Sequence, residues 1–192
     1  MMKRMLNGVV LGAVVLFAQV SLAGEPAAAV DAKAVFEQLK ALAGAWEGTA
    51  GEGKEAFVAT VSYRLVSGGT VVEETLGAGT PHEMVSMYHL DGKELMMTHF
   101  CAAGNQPRLR LDRAASRPGE LRFTFVGGTN MDPAKDQHIH GLTMRPAGDS
   151  LHHDWLSWQG GKESGHLRFA LRRKSSEGAK APAATPALPK HH

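Results

Sequence analysis

From residue 44 to residue 173 the chain alternates apolar and polar side chains with a period of two, and Gly, Pro or Asp-Gly interrupts the pattern about every ten residues. That period sends successive side chains to opposite faces of an extended strand, so it commits most of the chain to sheet. It predicts ten strands, near 44–50, 55–66, 70–76, 83–90, 94–101, 107–112, 120–126, 137–145, 151–158 and 165–173. The breaks have turn chemistry. Ser67-Gly68-Gly69 admits positive φ, Leu90-Asp91-Gly92-Lys93 is a two-residue hairpin signal, and Pro146-Ala147-Gly148-Asp149 and Gln159-Gly160-Gly161-Lys162 are turn clusters. One segment has helical spacing: Val35, Phe36, Leu39 and Leu42, with Asp31 as cap. A short helix followed by many antiparallel strands predicts an all-β fold, an up-and-down barrel of about 8–10 strands. Closure removes exposed edges and leaves room for one small ligand.

The flanks have a different composition. Lys3 and Arg4 precede an apolar run from Val9 to Val20, and Ser21-Leu22-Ala23 has the small-x-small form of a cleavage site. The run is about 12 residues against the roughly 20 that span a bilayer, so 1–23 reads as a signal peptide and not an anchor. No Cys follows it, which argues against lipoprotein processing. Export to a bacterial periplasm or beyond is expected, with the mature chain starting near Gly24. Residues 24–30 read as a linker, 31–174 as the domain, and the Ala/Pro-rich 175–192 as a disordered tail. Lys3 and Arg4 supply the whole net charge of +2, and the rest of the chain balances at 19 acidic and 19 basic residues. Nothing in that balance calls for nucleic acid or for stable membrane association after cleavage. Cys101 is the only cysteine, so an internal disulfide is excluded.

A resemblance adds to this. Leu42-Ala43-Gly44-Ala45-Trp46-Glu47-Gly48-Thr49, a Gly-x-Trp opening the first strand after a helix, resembles the start of calycin-superfamily barrels. Pro81-His82-Glu83-Met84, Tyr88-His89-Leu90-Asp91-Gly92, Thr98-His99-Phe100-Cys101 and Gly104-Asn105-Gln106-Pro107-Arg108 are similar to uncharacterised bacterial secreted lipocalin-like domains. The resemblance implies a barrel that holds a small, largely apolar molecule. It leaves any reaction open.

The residues themselves offer several sites. On 137–145 one face carries His138, His140, Leu142 and Met144, and a simple hairpin through Pro146–Ser150 places Met144 near Leu151, Leu142 near His153 and His140 near Trp155. His138, His140 and His153 then share an interior face. Two His at i and i+2 lie about 6–7 Å apart, able to grip one divalent metal such as zinc from one side. Their competing role is hydrogen bonding at the barrel mouth. A haem needs one axial His in a Met-rich pocket, for which Met84, Met87, Met96 and Met97 are available. Thr49-Ala50-Gly51-Glu52 does not continue the pattern of the haem-binding nitrobindin-like barrels. His99 and Cys101 point the same way yet stand too far apart for a thiolate–imidazolium pair. Arg108 and Arg110 alternate with Leu109 and Leu111, which places them outside the barrel or, alternatively, gripping a ligand carboxylate within it. Asn105 and Gln106 sit where a cavity rim is expected. Glu73 and Glu74 give one outward acid and one inward or edge acid. The reading is of a binding protein and not an enzyme, with His99, Asn105, Gln106, Arg108, Met97, Tyr88 and Trp155 as ligand contacts. Trp46 and the helix close one barrel end, and a polar set including the histidines lines the other.

Overall fold

The computed structural model describes residues 29–175. The segments read as signal peptide (1–23), most of the expected linker and the tail beyond 175 lie outside the described residues. Helix α1 (Ala32–Lys40) is followed by ten strands: β1 (Gly44–Ala50), β2 (Phe57–Val66), β3 (Val71–Leu76), β4 (Met84–Asp91), β5 (Glu94–Phe100), β6 (Gln106–Leu111), β7 (Leu121–Thr129), β8 (His138–Ala147), β9 (Ser150–Gln159) and β10 (Lys162–Arg173). Each strand pairs antiparallel with its neighbours in sequence and β1 pairs with β10, which closes the barrel. The expected fold is therefore the observed one.

Helix α1 closes one end. The Asp31 carboxylate accepts from the Ala34 N–H at 2.8 Å and caps its first turn, while Val35, Phe36 and Leu39 turn into the core. Trp46 is fully buried beneath it and donates from its indole to Leu42 O at 2.9 Å. The two glycines around Trp46 have separate causes. Gly44 takes φ +126°, and a Cβ on Gly48 would stand 2.0 Å from the Ala170 carbonyl oxygen, so only Gly lets β1 and β10 approach. Arg173 fastens this end by donating to Ala43 O at 2.8 Å and Ala41 O at 3.0 Å, the carbonyls of the C-cap and the turn after the helix, with its guanidinium 4.3 Å from the Trp46 ring. Arg173→Ala is expected to cost about 1–2 kcal/mol, and Arg173→Lys to recover part of it, because an ammonium lacks the planar fork. Thermal melts of the two variants check the order. The end of the linker is also tied down, since Val30 and Arg113 bond to each other through Val30 N–Arg113 O at 3.0 Å and Arg113 Nε–Val30 O at 2.8 Å.

The β8–β9 hairpin departs from the expected register. Gly148 takes φ +59° and the turn is only two residues long, so Ala147 pairs with Ser150 and Pro146 with Leu151. Met144 therefore meets His153, and Leu142 meets Trp155. The slip of two residues keeps the faces but moves each partner. A bulge between Ile139 and Gly141 then breaks the alternation. Ile139, which simple alternation places on the face opposite His138 and His140, instead packs against the core.

Candidate functional site

The interior is apolar at the helix end and carries one polar network at mid-height. On β3 the inward positions are Val72, Glu74 and Leu76, and Glu74 is fully buried. Its neighbour Glu73 faces outward and is held by Arg64, with Nη2 to Oε2 at 2.8 Å. Register brings Tyr63 of β2 beside Glu74 on one side and Ser86 of β4 on the other. The Tyr63 hydroxyl donates to Glu74 Oε1 at 2.7 Å and the Tyr88 hydroxyl to Oε2 at 2.7 Å. Tyr63 also lies 3.0 Å from His153 Nε2, and Ser86 Oγ lies 3.0 Å from His99 Nδ1. Five strands thus bring six polar side chains together: His153, Tyr63, Glu74 and Tyr88 in one hydrogen-bonded set, and the Ser86–His99 pair beside it, with Ser86 the cross-strand neighbour of Glu74.

Burial sets the protonation of this set. Desolvation raises the Glu74 carboxyl above the ordinary carboxylate range, against the lowering effect of the two tyrosines and Ser86. Desolvation pushes His99 down to about 4, and desolvation followed by the nearby His152 pushes His153 down to about 3. Both imidazoles are therefore neutral at pH 7. The Tyr63 and Tyr88 hydroxyls are raised, first by burial and then by the Glu74 charge, and keep their protons.

Toward the open end the network meets two cavities. A groove of about 440 Å³ is lined by Phe57, Val58, Leu76, Met84, Leu167 and Phe169, with Thr80, His82 and Ala102 at its edge. A small pocket of about 60 Å³ shares Leu76, Met84, Leu167 and Phe169 with it and adds Ile139, Ser157, His99 and Trp155. His99 is 1% exposed and Trp155 3%, and their rings lie 4.9 Å apart. Neither His99 Nε2 nor Trp155 Nε1 has a hydrogen-bond partner among the described residues. Buried polar groups are rarely left so.

Neither family models nor curated proteins give a match to this chain. The site has to be read from its own chemistry.

Of the residues singled out as ligand contacts, His99 and Trp155 line the small pocket. Tyr88 and Met97 are fully buried core, the former bound to Glu74. Arg108 is a correction. Leu109 and Leu111 take the inward positions of β6, and the strict alternation leaves Arg108 and Arg110 exposed outside. Asn105 and Gln106 join loops and do not line either cavity. Asn105 donates to Gln137 O at 2.7 Å, while Gln106 Oε1 accepts from Thr129 Oγ1 at 2.7 Å and Asn130 Nδ2 at 3.0 Å. The open end is thus more apolar than expected, and its amides stitch the β5–β6 loop to the β7–β8 segment.

The three histidines expected to share a metal divide into two groups. His138 Nδ1 donates to Asp136 O at 2.9 Å, and its Nε2 lies 3.1 Å from His140 Nδ1. His140 stacks on Trp158 with centroids 3.7 Å apart, and Phe125 lies against both imidazoles. His153 sits instead with Tyr63 and Phe169. The tighter turn and the bulge account for the separation. Among the described residues no group of three or more His, Cys, Asp or Glu is placed to hold a metal ion. The methionines proposed around a haem also split, because Met84 and Met97 fall on inward positions and Met87 and Met96 on the opposite face. The 60 Å³ beside His99 does not fit a haem.

Tyr63, Ser86 and Glu74 as a network, and Leu76, Leu167 and Phe169 as a groove, were not singled out from sequence. Their signal was parity. Glu74 sits between inward Val72 and Leu76, and a charged residue at such a position needs partners.

Proposed function

We propose that this chain is an exported, calycin-type binding protein that holds a small, largely apolar molecule at the open end of its barrel. The observation that carries the reading is the apolar groove of about 440 Å³ narrowing onto a pocket whose buried His99 and Trp155 nitrogens have no partner among the described residues. Ligand sites are concave, mostly apolar and supplied with a few convergent polar groups, and a volume of roughly 300–1,000 Å³ is usual for them. Phe57 and Val58, 53% and 82% exposed, form an apolar lip at which such a molecule can first adsorb.

The contrast between the two ends supports this reading. The helix end is packed solid by Trp46, Phe36 and Leu39, whereas the opposite end is open and greasy. A neutral fluorescent amine, N-phenyl-1-naphthylamine, tests this directly. Saturable enhancement with a micromolar Kd is expected for the wild type. Met84→Trp, which fills the neck between groove and pocket, should weaken it at least tenfold with the melt little changed. Absence of saturable binding to the wild type sinks the proposal.

A further inference from the structure

The two orphaned nitrogens say what the far end of the ligand must be. Resting on the binding reading above, we propose that the ligand carries a neutral hydroxyl head, seated between Trp155 Nε1 and His99 Nε2, and not a carboxylate. Trp155 Nε1–H is only a donor, so it asks for an oxygen lone pair. His99 Nδ1 is occupied by Ser86 Oγ at 3.0 Å, which leaves Nε2 as the nitrogen of this pocket-lining imidazole without a partner among the described residues. Where the Ser86 hydroxyl gives its proton to the Glu74 carboxylate, Nδ1 carries the imidazole proton and Nε2 is an acceptor. Where Ser86 donates to Nδ1 instead, Nε2 carries the proton and donates. A hydroxyl serves both arrangements, because it donates and accepts. A ketone or ether serves only the second.

The surroundings decide against a charged head. No Lys or Arg is buried among the described residues, and none lines the groove or the pocket. Arg108 and Arg110, the only cations near that stretch of β6 in sequence, face outward. A carboxylate in the pocket would lose its hydration without a counter-charge, with the buried Glu74 carboxyl one hydrogen-bonded residue further in. His99 stays neutral and offers no cation. An alkyl end with no polar atom fits the volume but gains nothing from either nitrogen, whereas a hydroxyl gives each a partner it lacks. The pocket of about 60 Å³ accepts a head and its first carbons, since one water needs only about 10–15 Å³ on this measure, and the chain then lies along the groove.

The test uses displacement of N-phenyl-1-naphthylamine by 1-octanol, octanoate and 1-chlorooctane at pH 7.5. These share one chain and differ in the head. Octanol is expected to displace the dye at least tenfold more tightly than either of the others. In Trp155→Phe the advantage of octanol over chlorooctane should shrink to threefold or less. Octanoate matching octanol, or all three binding alike, overturns the head-group assignment while leaving the apolar site intact. Failure of octanol to compete where the dye binds overturns it as well. Failure of the dye itself removes the binding reading and this inference together. The wild-type comparison needs no variant, so a folding defect in Trp155→Phe leaves the test decisive.

Discussion

Glu74→Ala is expected to lower the melting temperature by roughly 5–15 °C, corresponding to about 2–4 kcal/mol in a domain of this size. Two buried hydroxyls, Tyr63 and Tyr88, each lose their acceptor at once. A buried donor left unsatisfied costs about 1–3 kcal/mol, and the missing side chain adds a void. One effect opposes this. Burying the carboxyl is itself unfavourable, as its raised titration shows, so the substitution also removes a desolvation cost. The loss outweighs that relief because the tyrosines cannot turn toward water from 3% and 0% exposure, and only Tyr63 keeps a second partner, His153 Nε2 at 3.0 Å. Glu74→Gln provides the control. Its amide oxygen still accepts from one tyrosine and its NH₂ can donate to the other, so a loss of about 1 kcal/mol is expected. Calorimetric melts giving Ala and Gln variants of equal stability would show that the network contributes little.

The network shows where reading the sequence succeeds and where it stops. Ten strands and a closing helix were legible because their signals are local: alternation, glycine turns, and an Asp cap before an apolar stripe. Arg108 and Arg110 against Leu109 and Leu111 already implied an outward guanidinium, and the structure places them so. Contacts between strands were harder. The β8–β9 partners depend on whether the turn is four residues or two, and Gly148 allows the shorter. His140 then falls within a bulge that no spacing in the sequence announces. That bulge turns Ile139 inward and leaves His138 and His140 with Phe125 and Trp158, apart from His153. Tyr63, Glu74 and Ser86 belong to three different strands. Each reads as an inward polar residue on its own, but only the register shows that they touch.

The fold should lose stability steeply as pH falls from 6.5 toward 4. His99 and His153 titrate near their ordinary value of 6.5 when unfolded, but at about 4 and about 3 when folded. Both folded values are depressed, so in this window the unfolded chain binds protons that the folded chain refuses. Stability then rises with pH, is fully present above 6.5, and is lost as acid approaches the folded values. Two protons correspond to a slope of about 2.7 kcal/mol per pH unit near pH 5. Glu74 works the other way. Its raised folded value means that the folded state holds a proton the unfolded chain has released, which offsets up to one of the two. The net slope expected is therefore between about 1.4 and 2.7 kcal/mol per unit. Urea denaturation at half-unit steps from pH 4.5 to 7.5 measures it. His99→Asn, whose amide takes the place of Nδ1 toward Ser86, and His153→Gln, which does so for Nε2 toward Tyr63, should each reduce the slope by about 1.4 kcal/mol per unit. The mechanism fails if the wild type is flat across this range, or if both variants keep the wild-type slope, because the protons would then be taken up elsewhere.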